Sequence, residues 1–261
     1  MAAFNNLSSG RLTDSPKRIV IGGGSGTGKT TLAAQWSKPL IGDVENGSKF
    51  IDVDRVDIET IEDLSGFLKT FAEGDHDYKT CVIDTWDWVT KLLEDIVVKE
   101  GQKKSPGIKS IGDFDYGKGF TRVAQLNDQL IARMQSIIDA GYNVIVLCHT
   151  HTKEYAADPM VKTYQKHTLK MHDKVSTRLR EWADFVWFVA HDINTEQTSK
   201  GMVKRTVATG DPLKRWLYTA GAAQFDAKSR IPVLSENGQP VVELNYNAIM
   251  EGMKRGLANG T

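Results

Sequence analysis

The 261 residues of the sequence are enough for one large α/β domain with a substantial buried core. Because 33 basic residues balance 33 acidic ones, a uniformly basic nucleic-acid-binding surface is excluded, and any such surface must be local. A composition of 40% hydrophobic and 25% charged residues excludes disordered and fibrous proteins.

The sequence also bears on the compartment of the protein. Cys81 and Cys148 lie within apolar runs, which indicates buried thiols in a reducing compartment rather than a disulfide or a metal pair. No apolar run approaches membrane-spanning length, and the first residues lack a basic-then-apolar signal pattern. We therefore expect a cytoplasmic protein with no membrane partner, built as a flexible lead-in over residues 1–16 and a single domain over residues 17–261.

Residues 17–31 carry the strongest motif in the chain. The segment reads Lys-Arg-Ile-Val-Ile-Gly-Gly-Gly-Ser-Gly-Thr-Gly-Lys-Thr-Thr, and the spacing from Gly23 to Gly28, Lys29 and Thr30 fits the Walker A pattern. A strand over residues 18–21 and a helix over residues 29–36 supply the required context. The predicted nucleotide-binding residues are Gly23, Gly24, Ser25, Gly26, Thr27, Gly28, Lys29, Thr30 and Thr31. The alternative is a glycine-rich turn that only happens to end in Lys-Thr.

Each part of this loop has an expected role. The glycines can adopt backbone angles that turn successive N–H groups toward a phosphate, and the start of the helix adds partial positive charge. Lys29 is predicted to reach the β- and γ-phosphates of ATP, while the Thr30 hydroxyl binds Mg²⁺.

The second predicted strand covers residues 39–44 and stops at Glu45-Asn46-Gly47, a turn signal. In parallel sheets ligands gather beyond the carboxyl ends of the strands, so Glu45 is placed to orient an attacking water. A solvated turn residue beside Asp43 is the competing interpretation.

A third strand is predicted over residues 50–58, and Thr60 begins a helix that continues to residue 72. The next apolar run, Cys81-Val82-Ile83, ends at Asp84 and has the form of a Walker B strand. Asp84 is therefore the predicted acidic partner of Mg²⁺. A helix follows from Trp86 to about residue 100.

Residues 101–119 are rich in Gly and Ser and are expected to form a mobile basic loop. They contain Phe114, Tyr116 and the lysines Lys103, Lys104, Lys109 and Lys118. Lysines interleaved with aromatic residues suit the backbone and bases of single-stranded DNA, whereas a plain solvated connection is the alternative. An amphipathic helix is predicted over residues 120–140.

The run over residues 143–148 is typical of a central parallel strand and ends at His149. His149 is placed to sense the γ-phosphate and to couple that contact to the following segment. Residues 153–172 show little periodicity and form a second candidate loop for nucleic acid or a partner. A helix over residues 173–183 and a strand over residues 184–190 follow.

The pattern after residue 202 changes to short strands and turns, including residues 202–208 and 215–219, before a closing helix over residues 245–257. Lys228 and Arg230 flank a predicted turn, as a cationic finger that stabilises transition-state charge requires. A surface hairpin with two ordinary charges is the alternative.

Taken in order, these motifs resemble those of phage nucleotide-binding ATPases with an AAA/RecA-like core, similar to single-strand annealing RecA-like recombinases. The motifs that carry the resemblance are Gly23–Thr30, Asp43–Gly47, Val82–Thr85, Tyr116–Gly119, Val146–His149 and Ala227–Pro232. His149 stands where RecA-type recombinases usually have Gln or Asn.

The resemblance implies a RecA-like P-loop NTPase fold, with a central, mainly parallel sheet flanked by helices. The short strands after residue 202 add a β-rich C-terminal portion. The resemblance also implies that Glu45 activates water, and that Lys228 or Arg230 reaches the nucleotide of a neighbouring subunit in a homo-oligomer.

Two functions follow for this chain. The first is an ATP- and Mg²⁺-dependent phage recombination protein in the host cytoplasm that binds single-stranded DNA and promotes annealing or strand pairing. A single-strand-binding or replication protein is its expected partner. The second is a nucleotide-controlled partner-binding switch, such as a helicase loader or replication accessory ATPase.

Overall fold

The computed structural model describes residues 15–156, 163–192, 194–200, 203–211 and 213–259, with the backbone alone for residues 194–200 and 203–208. The strands are β1 (Arg18–Gly23), β2 (Pro39–Asp43), β3 (Asp54–Asp57), β4 (Thr80–Asp84), β5 (Asn143–Tyr155), β6 (Tyr164–Leu169), β7 (Phe185–His191), β8 (Asn194–Lys200), β9 (Val203–Thr209), β10 (Arg215–Tyr218), β11 (Lys228–Ser229) and β12 (Val241–Glu243). The helices are α1 (Lys29–Ala33), α2 (Ile61–Glu73), α3 (Trp86–Gln102), α4 (Lys118–Asp139), α5 (Asp173–Trp182) and α6 (Tyr246–Asn259).

A parallel sheet in the order β7-β1-β5-β4-β2-β3 forms the centre of the fold. The strands β10 and β12 extend this sheet antiparallel beyond β7, and β11 pairs with the start of β7. The strands β8 and β9 form a separate antiparallel pair. This arrangement confirms the predicted fold class, a mainly parallel α/β sheet with a β-rich C-terminal portion.

The core lies on both faces of the sheet because β1, β4 and β5 are continuous apolar runs with alternate side chains on opposite faces. On one face, Val20 and Ile83 pack in a cluster with residues of α2, α3, α4 and α5. On the other face, Ile19 and Val82 pack with residues of α1 and α6. Both cysteines are free and buried in strands, in agreement with the sequence analysis.

The β3 side is an open edge of the sheet. All four residues of β3 are exposed, and three of them, Asp54, Arg55 and Asp57, are charged. The strand is shorter than the predicted strand over residues 50–58 because the preceding residues form a turn, in which the Ile51 N–H donates to the Ser48 carbonyl.

Two hairpins stand at the carboxyl edge of the parallel strands. One is helical: Trp86, directly after β4, donates from Nε1 to Asn127 Oδ1 of α4 at 2.9 Å. Since α4 runs back from there toward β5, its residues before Asn127 lie beyond the sheet edge, together with the connection between α3 and α4. The Phe120 ring stacks on His172 at 4.1 Å between centroids, which joins this hairpin to the start of α5.

The second hairpin is built from β5 and β6. β5 pairs with β1 as far as His149, and its continuation Thr150–Tyr155 pairs antiparallel with β6. The loop predicted over residues 153–172 is wrong for β6, because the sequence pattern does not reveal the ladder that pairs β6 with β5. Residues 157–162 lie outside the described residues, as do residues 1–14 of the predicted lead-in and Met202 of a predicted strand.

The remaining helices follow their predicted positions with small changes at the ends. The regular part of α1 ends at Ala33 rather than at residue 36, and tighter turns continue the chain to Trp36. A capping box at Thr60 begins α2, as predicted. Among the described residues, no helix is long and apolar enough to cross a membrane.

Candidate nucleotide-binding site

The phosphate loop begins where β1 ends, between two other strand ends. Gly23 is in register with His149 of β5 and with Val189 of β7. A Cβ atom on Gly23 would lie 2.9 Å from the Val189 carbonyl oxygen, so glycine is required there for space. Of the four glycines predicted to need special backbone angles, Gly26 and Gly28 have positive φ, 73° and 91°.

Lys29 lies at the centre of the loop and is buried, with 5% of its surface exposed. Its ammonium group donates to the carbonyl oxygens of Gly23 at 3.1 Å and Gly24 at 2.8 Å. Burial lowers the pKa of Lys29, and the nearby Asp84 partly opposes that shift. A phosphate oxygen is a stronger acceptor than these carbonyls, so the ammonium is held ready for one.

Three other predicted loop residues differ in their surroundings. The Thr27 hydroxyl donates to the Gly24 carbonyl at 2.9 Å and stabilises the turn. Ser25 and Thr31 are exposed, so their polar groups are accessible to a ligand.

Thr30 and Asp84 meet at the predicted metal position. The Thr30 hydroxyl donates to Asp84 Oδ2 at 2.6 Å, although the two residues are 54 positions apart. Burial raises the pKa of Asp84 from 3.8 to about 6, while the Thr30 hydrogen bond opposes the shift and Glu45 adds to it. A hydroxyl and a carboxylate oxygen fit Mg²⁺, which accepts few protein ligands and retains several waters.

Glu45 points into the same site rather than out of a solvated turn. Its Oε2 accepts from the Thr85 hydroxyl at 3.3 Å, and its Oε1 lies 3.8 Å from His149 Nε2. The buried Asp43 fixes this turn, because its carboxylate accepts from the backbone N–H and hydroxyl of Ser48 at 3.0 and 2.6 Å. Asp43 is thus a structural residue that positions Glu45.

Asp87 is a site residue that the sequence analysis missed. It is 3% exposed, and it accepts from the His149 backbone N–H at 2.9 Å and lies 3.1 Å from His149 Nδ1. Burial raises the pKa of Asp87, but the hydrogen bonds from His149 outweigh it and hold the pKa below its usual value.

The contact with Asp87 determines which ring nitrogen of His149 carries a hydrogen. A carboxylate only accepts, so Nδ1 carries a hydrogen and Nε2 is directed to Glu45. The order Asp87, His149, Glu45 therefore forms a chain of polar groups that ends beside the phosphate loop. Because Asp87 and His149 are 62 positions apart, no local motif in the sequence marks their contact.

Lys228 and Arg230 lie at the opposite edge of the sheet. Instead of flanking a turn, Lys228 belongs to β11 and pairs with Val186 near the start of β7. Arg230 Nε contacts Asp184 Oδ1 at 2.8 Å, and the same carboxylate pairs with Arg18. Measured along β1, the phosphate loop begins about 17–20 Å from the level of Arg230 and about 10 Å from the level of Lys228, which is in line with Val20, so both cations lie away from the loop of their own chain.

Residues 15–231 match the family described as AAA domain, and since this is most of the chain, the protein belongs to that family. The chain is similar in structure to flagellar accessory protein FlaH from Methanocaldococcus jannaschii, with 14% identity, coverage of 78% of this chain and 86% of that one, and a TM-score of 0.34. It is also similar to the RadB recombinase, with 11% identity, coverage of 81% and 91%, and a TM-score of 0.40. No match was found among proteins of curated function.

Proposed function

We propose that this AAA-domain protein hydrolyses ATP with Mg²⁺, binds single-stranded DNA and promotes the annealing or pairing of strands. The observation that carries the proposal is the convergence of Lys29, the Thr30–Asp84 pair and the Asp87–His149–Glu45 chain at one sheet edge. These groups are those that phosphoryl transfer to water needs: cations and donors for phosphate, oxygen ligands for a cation, and a base.

In the proposed reaction Lys29 and the loop N–H groups hold the β- and γ-phosphates. Thr30 and Asp84 would hold Mg²⁺, whose charge stabilises the negative charge of the phosphates. Glu45 accepts a hydrogen bond from the attacking water and takes its proton as the bond to phosphorus forms. The Thr85 hydroxyl donates to the Glu45 carboxylate and holds it in this position, and His149 lies beside it.

In this proposal His149 also links hydrolysis to the β5–β6 hairpin, which belongs to the second segment predicted to contact nucleic acid or a partner. It is the last residue of β5 paired with β1, and the strand continues from it directly into the β5–β6 hairpin. A change in the contacts of His149 when the γ-phosphate leaves would therefore move the base of that hairpin.

The proposed DNA surface includes the tip of the α3–α4 hairpin, defined as residues 103–118. The tip carries Lys103, Lys104, Lys109 and Lys118, none of which forms an ion pair within the described residues. Tyr116 is 99% exposed, as a base-stacking ring requires. The four lysines outnumber the two carboxylates of the tip, Asp113 and Asp115, so its net charge is positive, and together with the exposed Tyr116 ring this favours a single strand over a neutral partner.

Phe114 packs inside the tip and is not free to stack on a base, contrary to the expectation from the sequence. A Cβ atom on Gly101 would lie 2.4 Å from its ring, and one on Gly119 would lie 2.8 Å from it. Phe114 thus packs between the two helix ends and orders the tip, whereas Tyr116 remains for a ligand. The expected mobile loop instead contains two short 3₁₀ turns, one of them closed by a Ser110–Asp113 capping box.

The proposal includes assembly into a homo-oligomer in which Lys228 or Arg230 completes the ATP site of a neighbour. Because Arg230 lies at the end of the sheet away from the phosphate loop of its own chain and Lys228 pairs at mid-strand, their proposed action is on the nucleotide of a neighbouring subunit. Phe50, which is fully exposed in the turn after β2, is the kind of side chain that an interface would bury.

The decisive experiment measures ATP hydrolysis with and without single-stranded DNA, using Lys29→Ala as the blank. Lys254→Ala is the matched control, because Lys254 is exposed and pairs with Glu251 of the same helix α6, away from the phosphate loop motif. We expect DNA to stimulate hydrolysis, and DNA affinity to fall steeply with salt. An ATPase that DNA leaves unchanged, and that shows no salt-dependent DNA binding, would contradict the proposal and favour the partner-binding switch.

A further inference from the structure

The β5–β6 hairpin places two lysines directly opposite each other. Lys153 of β5 is in register with Lys166 of β6, so both side chains lie on one face of the ladder. Like charges at a directly paired position repel each other and weaken the ladder. Each lysine contacts a carboxylate from outside the hairpin: Lys153 Nζ lies 2.7 Å from Asp173 Oδ1, and Lys166 Nζ lies 2.6 Å from Asp226 Oδ1. The repulsion within the hairpin is therefore offset by two carboxylates that other elements supply.

Asp226 is the more firmly held of these two carboxylates. Its Oδ2 lies 2.5 Å from Arg180 Nη1 of α5, so one side chain joins β6 to α5. The Asp226 side chain is 31% exposed, whereas that of Asp173 is 77% exposed. Water and salt weaken an ion pair less when its groups are partly buried. Asp226 is therefore the stronger ionic anchor of the hairpin.

The loop that carries this carboxylate, residues 220–227 between β10 and β11, fastens β6 to the sheet, and we call it the clasp. The His167 N–H of β6 donates to the Gln224 carbonyl at 2.7 Å. The Phe225 ring stacks on Phe188 of β7, with 4.7 Å between centroids and 13° between the ring planes. The clasp thus holds the second strand of the hairpin through a backbone hydrogen bond, a ring contact to β7 and a charge.

The face of the hairpin that carries the two lysines also suits a single strand of nucleic acid. The Tyr155 ring is 45% exposed, and Lys166 Nζ lies 4.9 Å from its centroid. Tyr164 lies edge-on to Tyr155 at 5.7 Å between centroids. Three cations, Lys153, Lys166 and Arg180, contact two carboxylates here, so the cluster has a positive net charge. Cations beside an exposed aromatic ring fit the backbone and bases of a single strand.

We propose that the clasp is an autoinhibitory contact, in which Asp226 occupies the Lys166 ammonium until a phosphate of single-stranded DNA displaces it. Lys166 then exchanges one anionic partner for another, and β6 is released from the clasp. The proposal rests on the proposed function, since it assumes that the protein binds single-stranded DNA. It adds a residue outside both predicted DNA-binding segments that lowers DNA affinity and restrains the hairpin that follows His149.

The test combines two measurements: binding of a fluorescein-labelled oligothymidylate, followed by fluorescence anisotropy, and hydrogen exchange of the β6 amides. Asp226→Asn should tighten DNA binding about three- to fivefold, because the carboxylate no longer competes for Lys166. The β6 amides of this variant should exchange faster, because the strand has lost an anchor. Asp226→Glu, which keeps the charge, should bind DNA within about twofold of the wild type.

Two variants control for other causes of tighter binding. Asp77→Asn removes an exposed carboxylate that is paired with Lys38 just before β4, so it measures the effect of net charge alone. Lys166→Met combined with Asp226→Asn should lose most of the gain, because Lys166 is the cation that Asp226 occupies.

The outcomes separate this proposal from the proposed function. Wild-type protein that does not bind the oligothymidylate would overturn the proposed function and this proposal with it. If the wild type binds DNA but Asp226→Asn binds it equally or more weakly, the clasp proposal alone is overturned, and faster β6 exchange would then mark a purely structural role for Asp226. A gain no larger than that of Asp77→Asn would also overturn the clasp proposal, because net charge would account for it.

Discussion

Replacing Asp84 by Asn should stabilise the protein in the absence of nucleotide and metal. Asp84 is 3% exposed, and its burial raises the carboxyl pKa from 3.8 to about 6. A raised carboxyl pKa means that ionisation favours the unfolded chain, so stability falls as the pH rises from about 4 to 6. Asparagine has no such charge, and its side-chain oxygen can still accept from the Thr30 hydroxyl.

The magnitude follows from the two pKa values. At pH 7.5 the difference between 3.8 and about 6 corresponds to about 3 kcal/mol of lost unfolding free energy. At pH 4 the folded carboxyl is already protonated, and the loss falls below about 1 kcal/mol. For a chain of this size, 3 kcal/mol corresponds to a rise of about 6–12 °C in the thermal midpoint of Asp84→Asn at pH 7.5.

Thermal unfolding followed by circular dichroism, at pH 7.5 and pH 4 in EDTA, measures both numbers. Asp184→Asn is the opposite control, because Arg18 and Arg230 hold the pKa of Asp184 below its usual value against the effect of burial. Loss of the Asp184 carboxylate should therefore lower the thermal midpoint of Asp184→Asn at pH 7.5. The reasoning would be refuted if the thermal midpoint of Asp84→Asn were no higher than that of the wild type at pH 7.5, or if it rose as much at pH 4. In either case the buried Asp84 carboxylate would not destabilise the fold as argued.

Glu45→Gln should lower the ATP turnover number by about 10²–10⁴-fold with little change in ATP affinity, because an amide cannot take a proton from water; stopped-flow binding and steady-state rates check this, and full turnover would assign the water to another group. Asp87→Asn should reduce stimulation by DNA more than the basal rate, since His149 uses both carboxylate oxygens, one for its backbone N–H and one for Nδ1, and asparagine offers only one acceptor oxygen; equal losses in both rates would argue against coupling. Tyr116→Ala should weaken single-stranded DNA binding by about 1–3 kcal/mol in a fluorescence titration with no change in the thermal midpoint. Phe114→Ala should instead lower the thermal midpoint, because its ring packs between two helix ends. If Tyr116→Ala lowered the midpoint and Phe114→Ala weakened DNA binding alone, the roles given to the two rings would have to be exchanged.

The sequence predicts those parts of the fold and site that depend on local signals. The apolar runs of β1, β4 and β5 are buried, as expected of central parallel strands, and Thr30 and Asp84 meet because Thr30 follows β1 and Asp84 ends β4 at the same edge of the sheet. Glu45 follows from the same rule, since the turn after β2 ends at the same edge.

The features that the sequence does not reveal depend on contacts between distant positions. Asp87 looks like an ordinary first-turn acid of α3 until its helix places it beside His149. Gln35 and Tyr246 are 211 positions apart, so the hydrogen bond that fixes the start of α6 beside Gln35 leaves no mark in either local pattern. The placement of Arg230 also required the structure, because the pairing of β11 with the start of β7 decides which edge it occupies.

The charged edge strand β3 restricts how copies of this protein can assemble. A bare strand edge normally invites another chain to add its own strand, and charged side chains along a short strand oppose such addition. Asp54, Arg55 and Asp57 are exposed along four residues of backbone, so an incoming strand would have to desolvate charges to gain few hydrogen bonds. Growth of a continuous sheet from one subunit into the next is thus disfavoured on this side, and a ring or filament would have to be joined through side chains and loops.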